Sequence, residues 1–191
     1  LLEMTTGFWN DVNTEPKRQF RFQLSFSSKT LGPGAIPVWT VKTASKPKAN
    51  ISTIEHQYVD HTFKYPGRVT WDPITVTLVD PVDPDVAWSL LNVLGGAGYK
   101  YPTTSDVAKQ SLSKKLFKDQ IGAIYIDQID DKGKMVERWE LMNPFFTSID
   151  FGGTLDYSSD EMNEVTVEIT YDWANMRYTK AHGSGPPSAI R

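Results

Sequence analysis

The sequence predicts a mainly β protein of the α+β class: an antiparallel β-sandwich or barrel with one or two flanking helices. Three observations carry this. Strict apolar–polar alternation recurs in separate stretches, most cleanly where Val165, Val167, Ile169, Tyr171 and Trp173 alternate with Thr166, Glu168, Thr170 and Asp172. Helix-start signals occur at only two places, around Asp83 and after Ser105. The order of elements is therefore strands, two short helices, strands, and at 191 residues the chain reads as a single domain able to bury a core.

Residues 1–17 are polar and irregular, with Phe8 and Trp9 as the large anchors. From Arg18 onward, Phe20, Phe22, Leu24 and Phe26 alternate with Arg21, Gln23 and Ser25, which predicts a half-buried strand. Leu31-Gly32-Pro33-Gly34 is a turn. Val38 to Ala44 predicts a second strand, with Val38, Thr40 and Lys42 opposite Trp39, Val41 and Thr43, and Lys46 to Asn50 breaks it. Residues 51–65 are rich in β-branched and aromatic residues, yet no face reads as consistently apolar. That suits an extended arm or projecting hairpin, with an ordinary edge hairpin as the plainer reading.

Phe63 to Asp80 predicts one long bent strand. Ile74, Val76 and Leu78 share a face, Thr75 and Thr77 take the other, and Val69 and Trp71 are out of phase with Ile74. A phase change of one residue at Pro73 is what a bulge or kink produces. Asp83-Pro84-Asp85 then predicts a helix, with Asp83 as N-cap and Pro84 at the first helical position. Its apolar face is Val86, Leu90 and Val93 with Ala87, Leu91 and Leu94, and Gly95-Gly96 ends it. A second helix is expected after Ser105, lined by Ala108, Leu112 and Leu116, with Lys114, Lys115 and Lys118 at its C-terminal end. Ile121–Ile129 and Lys134–Met142 form a hairpin through Asp130-Asp131-Lys132-Gly133. Pro144 to Asp156 reads as a strand in which Gly152-Gly153 marks a bulge or the strand's end, and Asp156 to Asn163 is an acidic loop. The tail from Thr179 mixes Gly, Ser and Pro without an apolar pattern and reads as flexible unless a neighbouring chain holds it.

Composition excludes several function classes. With no cysteine, the chain has no disulfide, zinc-thiolate or thiol-nucleophile chemistry. A net charge of -3 with dispersed basic residues is no footprint for specific DNA reading. No apolar run reaches the roughly 20 residues of a membrane span, and no signal peptide is visible, so no membrane partner is expected. His56, His61 and His182 read as surface or packing residues; five positions separate the first two, which puts them on opposite faces of a continuous strand. Asp127, Asp130, Asp131 and Gly133 lack the spacing of a calcium loop, and Gly95-Gly96-Ala97-Gly98 follows a helix where a phosphate cradle would precede one. His182-Gly183-Ser184 is no nucleophile elbow. Asp150 and Glu168 are the carboxylate pair to inspect for glycoside hydrolysis, against the simpler reading of a solvated polar face. The expectation is no catalytic residue, no cofactor and no metal.

Two places carry a family resemblance. One is Tyr65-Pro66-Gly67-Arg68 with Ile74-Thr75-Val76-Thr77-Leu78 and the acidic helix start after it. The other runs from Trp139-Glu140-Leu141 through a Pro, a strand into Gly-Gly and an acidic loop to Tyr171-Asp172-Trp173. Together, in this order over roughly residues 15–175, they resemble the tail-tube proteins of contractile-tailed bacteriophages of the T4 type. The resemblance implies a structural virion protein: hexameric rings, stacked into the inner tail tube, with long hairpins joining around each ring into an intersubunit β-barrel. It implies self-association and contact with tail sheath, baseplate and tape-measure proteins. It also implies genomic DNA passing through the lumen without sequence-specific binding, and assembly in the host cytoplasm. The hairpins would be residues 51–79 and 144–173, and the channel wall Thr75, Thr77, Ser148, Asp150, Thr166, Glu168, Thr170 and Asp172. An arm at 46–62, including Lys46, Asn50, Ile54 and Tyr58, would reach the next ring. Alternatives are the tube of a type VI secretion or related contractile injection system, a baseplate-proximal tube protein, and, more remotely, a β-sandwich carbohydrate-binding module or glycosidase.

Overall fold

The computed structural model describes residues 16–28 and 36–178. The expectations for residues 1–15, the turn at 31–34 and the tail with His182 lie outside that range. The strands are β1 (Phe22–Phe26), β2 (Val41–Ala44), β3 (Lys48–Tyr58), β4 (His61–Asp72), β5 (Ile74–Val79), β6 (Ile124–Ile129), β7 (Met135–Met142), β8 (Phe145–Asp150), β9 (Glu164–Thr170) and β10 (Trp173–Tyr178). The helices α1 (Val86–Gly96) and α2 (Lys114–Ile121) lie between β5 and β6. Two four-stranded sheets, β1-β6-β7-β10 and β2-β5-β9-β8, form the body, and β3 and β4 form a separate two-stranded ribbon. All pairings are antiparallel. The architecture is therefore the predicted antiparallel α+β sandwich, and no barrel closes within the chain among the described residues.

The core follows from the alternation. Ile74, Val76 and Leu78 of β5 and Val165, Val167 and Ile169 of β9 are buried on one side of their sheet. Leu24, Ile124, Ile126 and Leu141 answer them from the other sheet. Helix α1 contributes Val86, Leu90 and Val93, and α2 contributes Phe117 and Ile121. The rings of Phe117 and Phe146 meet edge-on at 6.2 Å, which seats α2 against β8.

Several boundaries differ from the sequence reading. β1 begins at Phe22, and Phe20 lies in a turn, exposed. Residues 38–40 form a 3-10 turn, with Thr40 Oγ1 donating to Pro37 O at 2.7 Å, so β2 starts at Val41. Lys48 to Asn50 belong to β3, not to a break. The bend at Pro73 is real and goes further than a kink, since β4 and β5 lie in different sheets. Asp85, not Asp83, caps α1, accepting from Trp88 N at 2.7 Å, while Asp80 Oδ1 takes Val86 N and Ala87 N at 3.2 and 3.1 Å. Two carboxylates therefore serve the amides that α1 leaves open at its start.

The second helix starts eight residues later than expected. Residues 107–109 make only a 3-10 turn, and Ser113 N donates to Ala97 O at 3.0 Å, tying the chain to the end of α1 before α2 begins. Leu112 and Leu116 are consequently exposed, and Lys114 and Lys115 sit in the first turn of α2 rather than its last. The strand read as continuous to Trp173 is two strands: β9 ends at Thr170 and β10 opens in the other sheet.

Candidate assembly surfaces

β5 and β9 pair from Ile74 opposite Ile169 to Val79 opposite Glu164. This register sets Thr75 against Glu168 and Thr77 against Thr166. β8 adds Ser148 opposite Glu168 and Asp150 opposite Thr166. Since side chains alternate across a strand, Thr75, Thr77, Ser148, Asp150, Thr166, Glu168 and Thr170 share the face turned away from the core. Thr43, opposite Thr77, and Thr147, whose Oγ1 donates to Glu168 O at 3.3 Å from a bulge in β8, extend that face. Neither was legible beforehand, because both depend on register. The Lys42–Glu164 ion pair closes one margin. Asp150 and Glu168 stand on this open face and do not line the cavities described below.

Asp172 does not join them. It lies past the end of β9, where Oδ1 accepts from Lys114 Nζ at 2.5 Å and Oδ2 from Asn143 Nδ2 at 2.8 Å. The ammonium of Lys114, then the Asn143 amide, hold its carboxyl below the usual range. The chain changes sheets here, so the alternation that placed Asp172 on the wall no longer applies.

The ribbon of β3 and β4 projects with almost every residue exposed. Its two faces become clear only through the turn at Val59-Asp60 and a bulge beside Gly67. Ile54 opposes Tyr65, His56 opposes Phe63 and Tyr58 opposes His61, so one outer face is aromatic and apolar. This corrects the reading that no face is consistently apolar, and it puts His56 and His61 on the same face. Nearer the root, Ile51 opposes Val69 and Ala49 opposes Trp71 on the other face. The change of side occurs at the register shift between Ile51 and Thr53. Arg68 N donates to Ser52 Oγ there at 2.9 Å, and a Cβ on Gly67 would lie 2.3 Å from that same oxygen. A side chain at position 67 would have to displace that hydroxyl from its bond to Arg68.

The root is fixed to the body. Trp71 packs on the core, and Asn50 donates to Asp72 across the ribbon. Lys46 Nζ reaches Gln128 Oε1 at 2.6 Å and Glu137 Oε1 at 2.9 Å in the other sheet. Burial pushes the Glu137 carboxyl up, but hydrogen bonds from Lys17, Lys46 and Trp139 outweigh it and hold the group at about 2. This cluster borders a cavity of about 740 Å³ between the sheets. Of the residues expected on an arm, Lys46 and Asn50 thus lie at its root, and Ile54 and Tyr58 on its outer part.

A second apolar surface lies where the edge strands β1 and β2 approach. Phe20, Phe22, Gln23, Val38, Trp39 and Lys42 line a cavity of about 670 Å³. Phe20 and Trp39 are 76% and 64% exposed, unusual for such large apolar side chains.

The sequence matches no family model and no curated protein. Solved structures do match. A chain of the anti-feeding prophage cap, the AFP tube terminating cap, superposes with a TM-score of 0.60 at 18% identity, over 87% of this chain and 93% of that one. A chain from the sheath/tube terminator of PVC, an extracellular contractile injection system in its extended state, gives 0.60 at 19% identity over 86% and 98%. The chain shares their fold. A chain of the anti-feeding prophage baseplate, 6-fold symmetrised, gives 0.57 at 14% identity over 85% and 96%. The fold is thus one found in contractile injection particles, and the T4-type phage is a narrower version of that statement.

Proposed function

We propose that this chain is a structural subunit, without catalysis, that joins side by side into rings and stacks into the hollow inner tube of a contractile tail or injection particle. The observation that carries this is the sheet β2-β5-β9-β8, with one face in the core, one face polar, and both edge strands unpaired among the described residues. Open edges invite pairing, and ring closure satisfies them by setting β8 of one copy against β2 of the next. The polar face, Thr75 to Thr170, then lines the channel. Its carboxylates, Asp150 and Glu168, repel phosphates, so a nucleic acid cargo slides past without sticking. The six-fold baseplate that holds one of the matched chains supports a ring of six. Sheath, baseplate and tape-measure proteins are the further partners of such a tube, and the tail of a particle assembled in the host cytoplasm is its location.

The reading has two versions, a phage tail that delivers DNA and an injection particle that delivers another cargo. The origin of the matched chains favours the second. Capsid and terminase genes beside this one would favour the first.

Thiol labelling tests the wall, because the chain has no cysteine of its own. Thr166→Cys in assembled tubes should react with a small maleimide and resist a polymer-bearing one, whereas the unassembled subunit reacts with both. Equal reaction with both reagents in tubes would place this face outside the channel.

A further inference from the structure

The loop at 151–163 joins β8 to β9, and the stretch at 98–118 joins α1 to α2 and runs into the exposed side of α2. The polar wall, the sheet edges and the ribbon leave both surfaces unused. We infer that they bind each other between copies: the β8–β9 loop of one subunit docks on the α1–α2 connection of a second. The inference rests on the self-assembly proposed above and adds a contact that neither the polar face nor the ribbon supplies.

Both surfaces present large apolar side chains to water. On the loop, Leu155 and Met162 are 87% and 68% exposed, and Tyr157 is fully exposed. These residues help line a hollow of about 560 Å³ formed by the loop and the start of β9, with Glu161 also in its wall. On the connection, Tyr101 is 63% exposed and meets the ring of Tyr99 edge-on at 5.7 Å. Leu116 stands beside them, since a Cβ on Gly98 would lie 3.6 Å from Leu116 Cδ1. An aromatic anchor entering a hollow is the usual centre of a stable interface, and Tyr101 is the anchor that the connection offers.

Charge commits the two surfaces to each other. Among the described residues, Asp160 and Glu161 of the loop form no ion pair, and neither do Lys100, Lys115 and Lys118 of the connection. Lys109 and Lys114 are already paired, with Asp106 and Asp172. The groove at Phe20 and Trp39 suits the loop less well, because its cation Lys42 is paired with Glu164. On the ribbon, Lys48 and Lys64 are paired with Asp72 and Glu55, which leaves Arg68. Within one subunit the base of the loop and the connection lie apart. The loop closes at the start of α1, where Asp80 N donates to Asn163 O at 3.0 Å and Asp80 Oδ1 serves the first amides of the helix. The connection begins past the other end of α1, which at 11 residues is roughly 16 Å long. A loop at one end of a helix and its receiver at the other make a head-to-tail contact, which repeats from copy to copy.

Charge reversal with rescue tests the contact. Asp160→Lys with Glu161→Lys, and separately Lys115→Glu with Lys118→Glu, should each raise the concentration needed for tubes at least roughly tenfold, because like charges then face each other. These side chains are exposed, so each variant should melt as the native chain does. The chain carrying both reversed pairs should form tubes again near the native concentration. Tyr157→Cys combined with Leu112→Cys, oxidised after assembly, should give a ladder of covalent multimers on a non-reducing gel, and each single variant none beyond a dimer. Native-like tubes from both reversed pairs, or loss of tubes that the combined reversal does not rescue, would overturn the contact and leave the tube reading standing. A disulfide confined to the monomer band would show the loop folding back on its own chain and would overturn it as well. Failure of the native chain to form rings or tubes at all would instead remove the tube reading, and this contact with it.

Discussion

The ring of Trp71 lies 6.1 Å from that of Tyr171, inclined at 54°. Trp71 is near the end of β4, and Tyr171 stands where the chain passes from β9 in one sheet to β10 in the other. One aromatic contact thus joins the root of the projecting ribbon to the crossing point of the sandwich. An isolated two-stranded ribbon is marginal in water, so this contact helps hold its root to the body. Trp71→Ala should lower stability by about 2–3 kcal/mol, or roughly 5–10 °C in Tm. It should also make residues 48–72 the first site of limited proteolysis. A thermal melt and a timed digest check both.

Gly67 tests the ribbon alone. Gly67→Val places a Cβ 2.3 Å from Ser52 Oγ and 3.0 Å from Ser52 O, so the bulge must shift. A one-residue slip moves Ile54, Tyr58, Phe63 and Tyr65 off their common face. Because no core residue is involved, Tm should stay within about 2 °C. Tube formation, followed by sedimentation, should be lost.

Glu137 predicts an acid-sensitive step. Its carboxyl is lowered from 4.5 to about 2 in the folded state. A depressed carboxylate contributes stability that is fully present above the unfolded pKa and is lost as pH falls from about 4.5 toward 2. The shift corresponds to about 3 kcal/mol, reduced to about 2 because Lys17 and Lys46 are half in water. Denaturation curves across that window should converge for the native chain and Glu137→Gln at the acid end and separate above pH 5.

Ile169 and Asp172 divide fold from surface. Ile169 is fully buried, so Ile169→Asp should unfold the domain outright and says nothing about interfaces. Asp172→Ala removes a half-exposed pair with Lys114 and should cost no more than about 1 kcal/mol, with tube formation intact. A loss of tubes without loss of fold in Asp172→Ala would return this residue to the assembly surface.

The sandwich was readable because β5 and β9 each keep one face in the core and one in water, and a period of two records that directly. Pro73 was readable as a break in phase. The ribbon's aromatic face was not, because it exists only after the turn at Val59 and the bulge at Gly67 bring two strands into register. Ser105 and Ser113 offer similar helix-start chemistry, and the choice between them is made by Ser113 bonding to the end of α1. Asp172 lies off the polar face of β9 for a related reason, since continuous alternation conceals a change of sheet.

Electron microscopy of the purified chain, at high concentration and with baseplate-like seeds, tests the central claim most directly. The account predicts hollow tubes or six-fold rings. A chain that stays monomeric with seeds present would contradict it.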